Sequence, residues 1–206
     1  MNTILPVRFS IIFISLTVIL ICAACSSVPT TQYYTLVADN KVNNTDNQSR
    51  PNILDGNDSI GIGPLVIPNS LENFSVISTE NNNNMVINPY HLWAGNLKAN
   101  INQVLADNIS RSLSVDNVWA FPWDNRNRPK LQVRIVFEQF MGERGKNVTL
   151  QSKWTLLDDY GKKEIKTEKT VITEPLQSTN YLEYVQALNK ALNTLSLLIA
   201  NEIKAL

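Results

Sequence analysis

Two cysteines, Cys22 and Cys25, are the residues whose chemistry the sequence indicates most directly, because both follow the apolar run at 9–21. That run is shorter than the roughly 20 residues that cross a bilayer as a helix, and it ends in small residues, as a cleaved secretory signal peptide does. A pair of alanines leads directly into Cys25, which resembles a bacterial lipobox, where the thiol takes a diacylglycerol and becomes the new amino terminus. The pattern predicts a lipoprotein signal peptide at 1–24 and lipidation at Cys25.

The position three before the acylated cysteine is usually leucine and here is Cys22, so an ordinary cleaved signal or an uncleaved anchor stays open as an alternative. Cys22 is itself a poorer acceptor, because the bulky Ile21 precedes it. Ser26, in place of aspartate, is typical of lipoproteins released to the outer membrane. Residues 25–32 would then form a lipidated tether, whose reach is at most ~23 Å at roughly 3.3 Å per residue.

Beyond the leader the chain has no thiol and a single histidine, His91, so a cysteine nucleophile, a disulfide and a cysteine-ligated metal are excluded from the body of the protein. His91 lies among aromatic and apolar neighbours, which favours a partly buried structural role. The adjacent carboxylates Asp158 and Asp159 fall in a predicted turn, and HExxH, P-loop and Gly-x-Ser-x-Gly motifs are absent. We therefore predict no catalytic residue, metal or cofactor. A hydrolase would need a deep pocket that brings carboxylates to His91.

The 18 basic and 18 acidic residues balance, so the sequence lacks the positive charge that nucleic-acid binding requires. After loss of the leader, the remaining length suits one domain, which we place at 33–206. Residues 38–59 are polar and lack apolar periodicity, and they predict a flexible surface loop.

Four tryptophans divide into two groups. Trp93 and Trp154 each lie on an apolar face, which predicts core positions. Trp119 and Trp123 flank Pro122 at the end of a short strand, where an exposed aromatic ring would contact a partner or lipid. We therefore predict Trp119 and Trp123 as contact residues.

Apolar periodicity predicts the elements that position these residues. Strands are expected at 33–37, 60–68, 74–79, 85–88 and 118–121, and a three-stranded antiparallel meander follows at 131–138, 148–155 and 165–172. Strand 60–68 is apolar on both faces and should be covered on both sides. Helices are expected at 93–113 and 180–206, the second capped by Thr179 or Asn180 and either packed on the sheet or in a coiled coil. The fold class is an α/β (α+β-like) sandwich, in which one twisted mixed sheet is flanked by two long helices.

An ordered set of short motifs resembles the PqiC-type lipoproteins, the auxiliary lipoprotein family of ABC-type transport. After the lipobox, the set comprises Tyr33-Tyr34-Thr35-Leu36, the run at 60–68, His91-Leu92-Trp93-Ala94 with Leu97, Asp107-Asn108-Ile109 with Leu113, Phe121-Pro122-Trp123, the meander with Leu150 and Trp154, and the final helix from Tyr184. The chain departs from the family at Leu92, where members often carry arginine, and at Gly95-Asn96, where they carry an acid–proline pair.

The resemblance implies an outer-membrane lipoprotein that works with a periplasm-spanning MCE-domain protein and its inner-membrane partner to move lipids between membranes. It also implies a homo-oligomeric ring with a docking role, which supports membrane integrity without catalysis. The alternative is a lipoprotein chaperone for outer-membrane assembly, which would act in β-barrel or lipopolysaccharide insertion.

Overall fold

The computed structural model describes residues 29–39, 58–81, 84–124 and 126–206. The predicted signal peptide, Cys25, the start of the tether and most of the polar loop at 38–59 lie outside these residues. From Thr31 onward, the described residues pack as one unit.

The described residues form eight strands and two α-helices. The strands are β1 Gln32–Tyr34, β2 Ile60–Val66, β3 Ser75–Glu80, β4 Asn84–Trp93, β5 Val118–Ala120, β6 Leu131–Glu143, β7 Asn147–Asp158 and β8 Lys163–Pro175. The helices are α1 Leu97–Leu113 and α2 Tyr181–Lys204.

The long strand β6 organises the sheet. On one edge it pairs with β7, which pairs with β8, and both pairings are antiparallel. The predicted meander is therefore confirmed, including the position of β8 at an edge of the described sheet. On the other edge, the first half of β6 pairs in parallel with β2, which pairs in parallel with β5. We call these two strands the β2–β5 wing.

A second wing joins the far end of β6 through the pair Thr79 and Glu143. Here β3 pairs antiparallel with β4, and β4 pairs in parallel with β1. We call these three strands the β1–β4–β3 wing. Its hairpin turns at Asn81, whose positive φ of 51° fits the predicted asparagine-rich tip.

Both helices pack on the same side of the sheet, α1 against β2 and β5 and α2 against β7 and β8, and they pack against each other. The predicted alternation in β6 is confirmed, since Leu131, Val133 and Ile135 are buried beneath the helices while Arg134 and Glu138 are exposed. The other side of the sheet is the helix-free face. The mixed sheet with two helices confirms the α/β fold class.

Helix α2 begins at the predicted cap, since the Asn180 side chain accepts a hydrogen bond from the backbone N–H of Leu182 at 2.7 Å. Its apolar stripe is buried within the chain's own fold, including Leu188, Leu192 and Leu195. That packing favours the sheet over the coiled coil as the surface that covers the stripe.

The first helix begins four residues later than predicted. Trp93 ends β4, because its N–H donates to the Phe74 carbonyl, and the Ala94 N–H donates to the Tyr34 carbonyl. The helix then starts behind Asn96, whose side chain accepts from the Ala99 N–H at 2.9 Å. Strand β4 is correspondingly longer than predicted, because neighbours on both edges satisfy its backbone groups.

The hydroxyl of Tyr184 links α2 to β6 and to the β1–β4–β3 wing. It accepts from the Gly142 N–H and donates to the Ile77 carbonyl, both at 2.9 Å and buried. We expect Tyr184→Phe to lower the free energy of unfolding by about 1–3 kcal/mol, because two buried backbone groups lose their partner. Chemical denaturation measures this loss.

Tyr181→Phe is the matched control for this substitution. The Tyr181 hydroxyl is buried and has no hydrogen-bond partner among the described residues, so its removal should change stability by less than about 0.5 kcal/mol. Equal losses in the two variants would contradict the role assigned to Tyr184.

Candidate functional site

The predicted contact residues lie on the β2–β5 wing, on its helix-free face. Val118 and Ala120 pack against the core, so Trp119 between them points to the opposite side, where it is 37% exposed. In the β-ladder, Trp119 lies directly beside Gly61. The short strand therefore displays an indole ring at the edge of the sheet.

Trp123 lies over the same glycine. A Cβ atom on Gly61 would fall 2.8 Å from Cζ3 of Trp123 and 2.6 Å from the ring of Pro129, so only glycine allows this approach. The segment that contains Trp123 and Pro129 thus covers β2 on the helix-free face. The prediction that this strand is covered on both sides is confirmed at its start and is wrong further along, where Pro64 and Val66 are exposed.

Phe121 completes the group and was missed in the sequence. Its ring is 44% exposed and meets Trp123 edge to face, with centroids 5.1 Å apart. The sequence contains a signal for it, because residues 119, 121 and 123 are each two apart and all aromatic. Side chains at this spacing lie on one face of an extended chain. We call Trp119, Phe121 and Trp123 the aromatic surface.

Charged residues around the aromatic surface are paired with one another. Arg126 contacts Asp124 at 3.1 Å, and hydrogen bonds from its backbone and side chain hold the pKa of Asp124 below its usual range. Lys130 contacts Asp58 at 2.7 Å. The exposed rings are the apolar groups that this surface presents. Exposed aromatic rings are enriched at protein interfaces.

Residues 35–39 form a second notable feature, which we call the docked segment. The sequence predicted strand through residue 37, but β1 ends at Tyr34 and the chain crosses α1 and α2 instead. Asn100 on α1 accepts from the Leu36 N–H at 2.8 Å and donates to its carbonyl at 3.1 Å. Asn189 on α2 makes the same pair of bonds with Val37, at 2.7 and 2.9 Å.

The docked segment is fixed further along its length. The Asp39 N–H donates to Asn108 at 2.8 Å, and Arg111 donates to the Asp39 carbonyl at 2.8 Å. Leu36 is inserted into the core. The start of the domain is thereby held by both helices as well as by the sheet.

We expect Asn100→Ala with Asn189→Ala to release the docked segment. Four hydrogen bonds to the backbone of Leu36 and Val37 are lost, at roughly 0.5–1.5 kcal/mol each. Amide hydrogen exchange at these two residues should become at least tenfold faster. The exposed neighbour Gln186→Ala is the control, and unchanged exchange in the double variant would contradict the assignment.

His91 lies in a packed aromatic cluster. The Tyr34 hydroxyl is 2.8 Å from His91 Nδ1, and the imidazole stacks on the Tyr181 ring with centroids 3.7 Å apart. Arg144 lies over Tyr181, 4.2 Å from the ring centre. Burial, and then the charge of Arg144, lower the pKa of His91. This geometry fits the structural role predicted from the sequence.

The lowered pKa of His91 has a consequence for stability. The unfolded chain takes up a proton at His91 more readily than the fold does, so stability should fall as the pH drops below about 6.5. Between about pH 7 and 5.5, the free energy of unfolding should therefore fall less in His91→Gln than in the wild-type protein. Carboxylates contribute equally to the pH dependence of both proteins. Denaturation midpoints measure the difference, and identical pH slopes would contradict it.

His91 lies apart from the carboxylates that line the cleft at the far end of β6. The cleft, of ≈ 680 Å³, is lined by Met85, Met141, Glu138, Glu143 and Lys146 among others, and His91 does not line it. In the part of the chain that the structure describes, no group of three or more histidines, cysteines and carboxylates is placed to hold a metal ion. None of the helices in that part has the length and apolarity to cross a bilayer.

The geometry defines an α/β domain with an aromatic surface and a firmly docked amino-terminal segment. Residues 34–200 match the family model of the ABC-type transport auxiliary lipoprotein component. The chain therefore belongs to this auxiliary lipoprotein family, and the resemblance noted in the sequence is confirmed.

Solved structures share the fold. A crystal structure of an uncharacterized protein has a TM-score of 0.67 and 21% identity, covering 84% of this chain and 99% of that chain. A protein from Xanthomonas campestris has a TM-score of 0.64 and 10% identity, covering 82% of this chain and 93% of that chain. The search of curated proteins gave no significant match.

Proposed function

We propose that this protein is an outer-membrane-anchored, non-catalytic subunit of an MCE-type intermembrane lipid transport system. The observation that carries the proposal is membership of the transport auxiliary lipoprotein family over residues 34–200. The lipobox at Cys25 and Ser26 supports an anchor in the outer membrane.

The docked segment supports an anchoring role. It follows directly on the tether and β1, so the acylated end would be joined to a part of the fold that both helices hold. A tether with a reach of at most ~23 Å would keep the domain close to the membrane.

The aromatic surface supports docking of the periplasm-spanning MCE-domain partner. It lies on the β2–β5 wing, whose pairing with β6 ends at Val136. The β1–β4–β3 wing, which receives the tether, pairs with β6 at Glu143. Seven residues of strand separate these points by roughly 23 Å at 3.3 Å per residue. The β1–β4–β3 wing would then face the membrane, and the β2–β5 wing would bind the partner. We include the homo-oligomeric ring in the proposal, on the strength of the family resemblance.

A photo-crosslinking amino acid at position 119 in cells would test the proposal. We expect adducts with an MCE-domain protein. The same amino acid at Val171, which is 62% exposed on the helix-free face of β8, is the control and should give none. Adducts with an outer-membrane β-barrel protein from position 119 would instead support the chaperone alternative and overturn the proposal.

A further inference from the structure

The β1–β4–β3 wing carries a line of apolar side chains on its helix-free face. The ladder places Tyr33 beside Leu92, Ile77 beside Ile87 and Thr79 beside Met85. Paired residues share a face of the sheet. Their neighbours Tyr34, Trp93 and Val76 pack into the core, so the paired residues point away from the helices.

We call Tyr33, Leu92, Ile87 and Met85 the apolar stripe. Tyr33 is 66% exposed and Ile87 is 55% exposed, with Ile77 buried beside Ile87. The stripe begins on the strand that continues the tether and extends along β4 toward the hairpin tip. A register shift in β4 separates Leu92, which pairs with Ser75, from Ile87, which pairs with Ile77. Exposed apolar groups grouped on one face of a wing indicate a contact surface.

The rest of the helix-free face has a different character. On β6, β7 and β8 it presents Arg134, Glu138, Lys153 and Lys169, and Glu138 and Lys169 form an ion pair at 3.1 Å. Val171 is isolated among these polar groups, and Val136 lies beside the exposed Val66 of β2. This part of the face is suited to water, so it separates the apolar side chains of the β1–β4–β3 wing from the aromatic surface on the β2–β5 wing.

We propose that the apolar stripe rests in the interfacial layer of the lipid bilayer. The inference rests on the proposed function, because it takes the anchor at Cys25 as given. Tyr33 is eight residues from Cys25, so an extended tether of at most ~26 Å separates the stripe from the headgroups, and a shorter path brings it into contact. A tyrosine ring with a polar tip and an apolar body suits this interface, and the adjoining Ile87 and Met85 would enter the acyl boundary.

This contact would orient the molecule. With the stripe on the membrane, the aromatic surface on the β2–β5 wing is held away from the tethered wing, where a periplasmic partner has access. The stripe thus assigns the lipid surface to one wing and the protein partner to the other.

Site-specific spin labels test the inference. The body of the chain has no cysteine and Cys25 is blocked by its lipid, so Tyr33→Cys, Ile87→Cys and the control Val171→Cys each give one labelling site. The acylated full-length proteins are reconstituted in vesicles of phosphatidylcholine and phosphatidylethanolamine. Power-saturation measurements then compare nitroxide access to oxygen with access to a water-soluble nickel complex.

We expect the ratio of oxygen to nickel access to be several-fold higher at positions 33 and 87 than at position 171. Equal ratios at the three positions in vesicle-bound protein would overturn the inference. Low access to both oxygen and the nickel complex at position 87 would also overturn it, because a second copy would then cover the stripe. If the protein lacks acyl mass and does not float with vesicles, the proposed function itself fails.

Discussion

Cys25→Ala is expected to leave the domain folded and to abolish its function in cells. Without the thiol no diacylglycerol is attached, and each acyl methylene that would have been buried contributes ~0.8 kcal/mol, so persistent membrane attachment is lost. The fold should be unaffected, because the body of the chain from Thr31 packs as a unit of its own. Membrane fractionation and a lipid-permeability assay in cells measure the two effects.

Cys22→Ala is the matched control. It removes the other thiol three residues earlier, behind Ile21, and should leave lipidation and function intact. Full activity from the unacylated Cys25→Ala protein would contradict the anchoring role. Loss of activity in Cys22→Ala alone would indicate that Cys22, and not Cys25, carries the lipid.

Trp119→Ala should weaken binding of the MCE-domain partner by about 30-fold or more, which corresponds to ~2 kcal/mol at an interface hot spot. The indole is 37% exposed at the edge of β5 and lies outside the core cluster. Its partial burial should make the free energy of unfolding fall by about 1–2 kcal/mol. Calorimetric titration and chemical denaturation separate the two quantities.

Two further variants make this prediction specific. Phe74→Ala removes an aromatic ring that is 78% exposed, just before β3 and outside the aromatic surface, and should bind normally. Trp123→Ala should weaken binding and also lower stability, because its ring covers Gly61. Unchanged affinity in both tryptophan variants would show that the aromatic surface does not bind the partner.

The elements with strong periodicity could be predicted from the sequence. The β6–β8 meander and the stripe of α2 alternate or repeat over ten or more residues, so burial dictates their pattern. The junction at Trp93 could not be predicted, because an apolar residue before a helix suits either element. Pairing of β4 with β1 and β3, and the cap at Asn96, decide it in the fold.

The site was predicted only in part. Cys25 follows from a local motif, and it remains a prediction because it lies outside the described residues. Trp119 and Trp123 lie together on one surface, and whether they bind a partner also remains a prediction. The docked segment depends on Asn100 and Asn189, which are far apart in sequence. Asparagine within a helix is unfavourable for the helix itself and is the signal that could have been noticed.

Native mass spectrometry of the protein extracted in detergent from its own membranes would measure acylation, oligomeric state and bound partner together. We expect a chain that begins at Cys25 and carries the mass of its acyl groups, in an oligomer bound to an MCE-domain protein. A monomer without acyl mass and without a partner would contradict the proposed function.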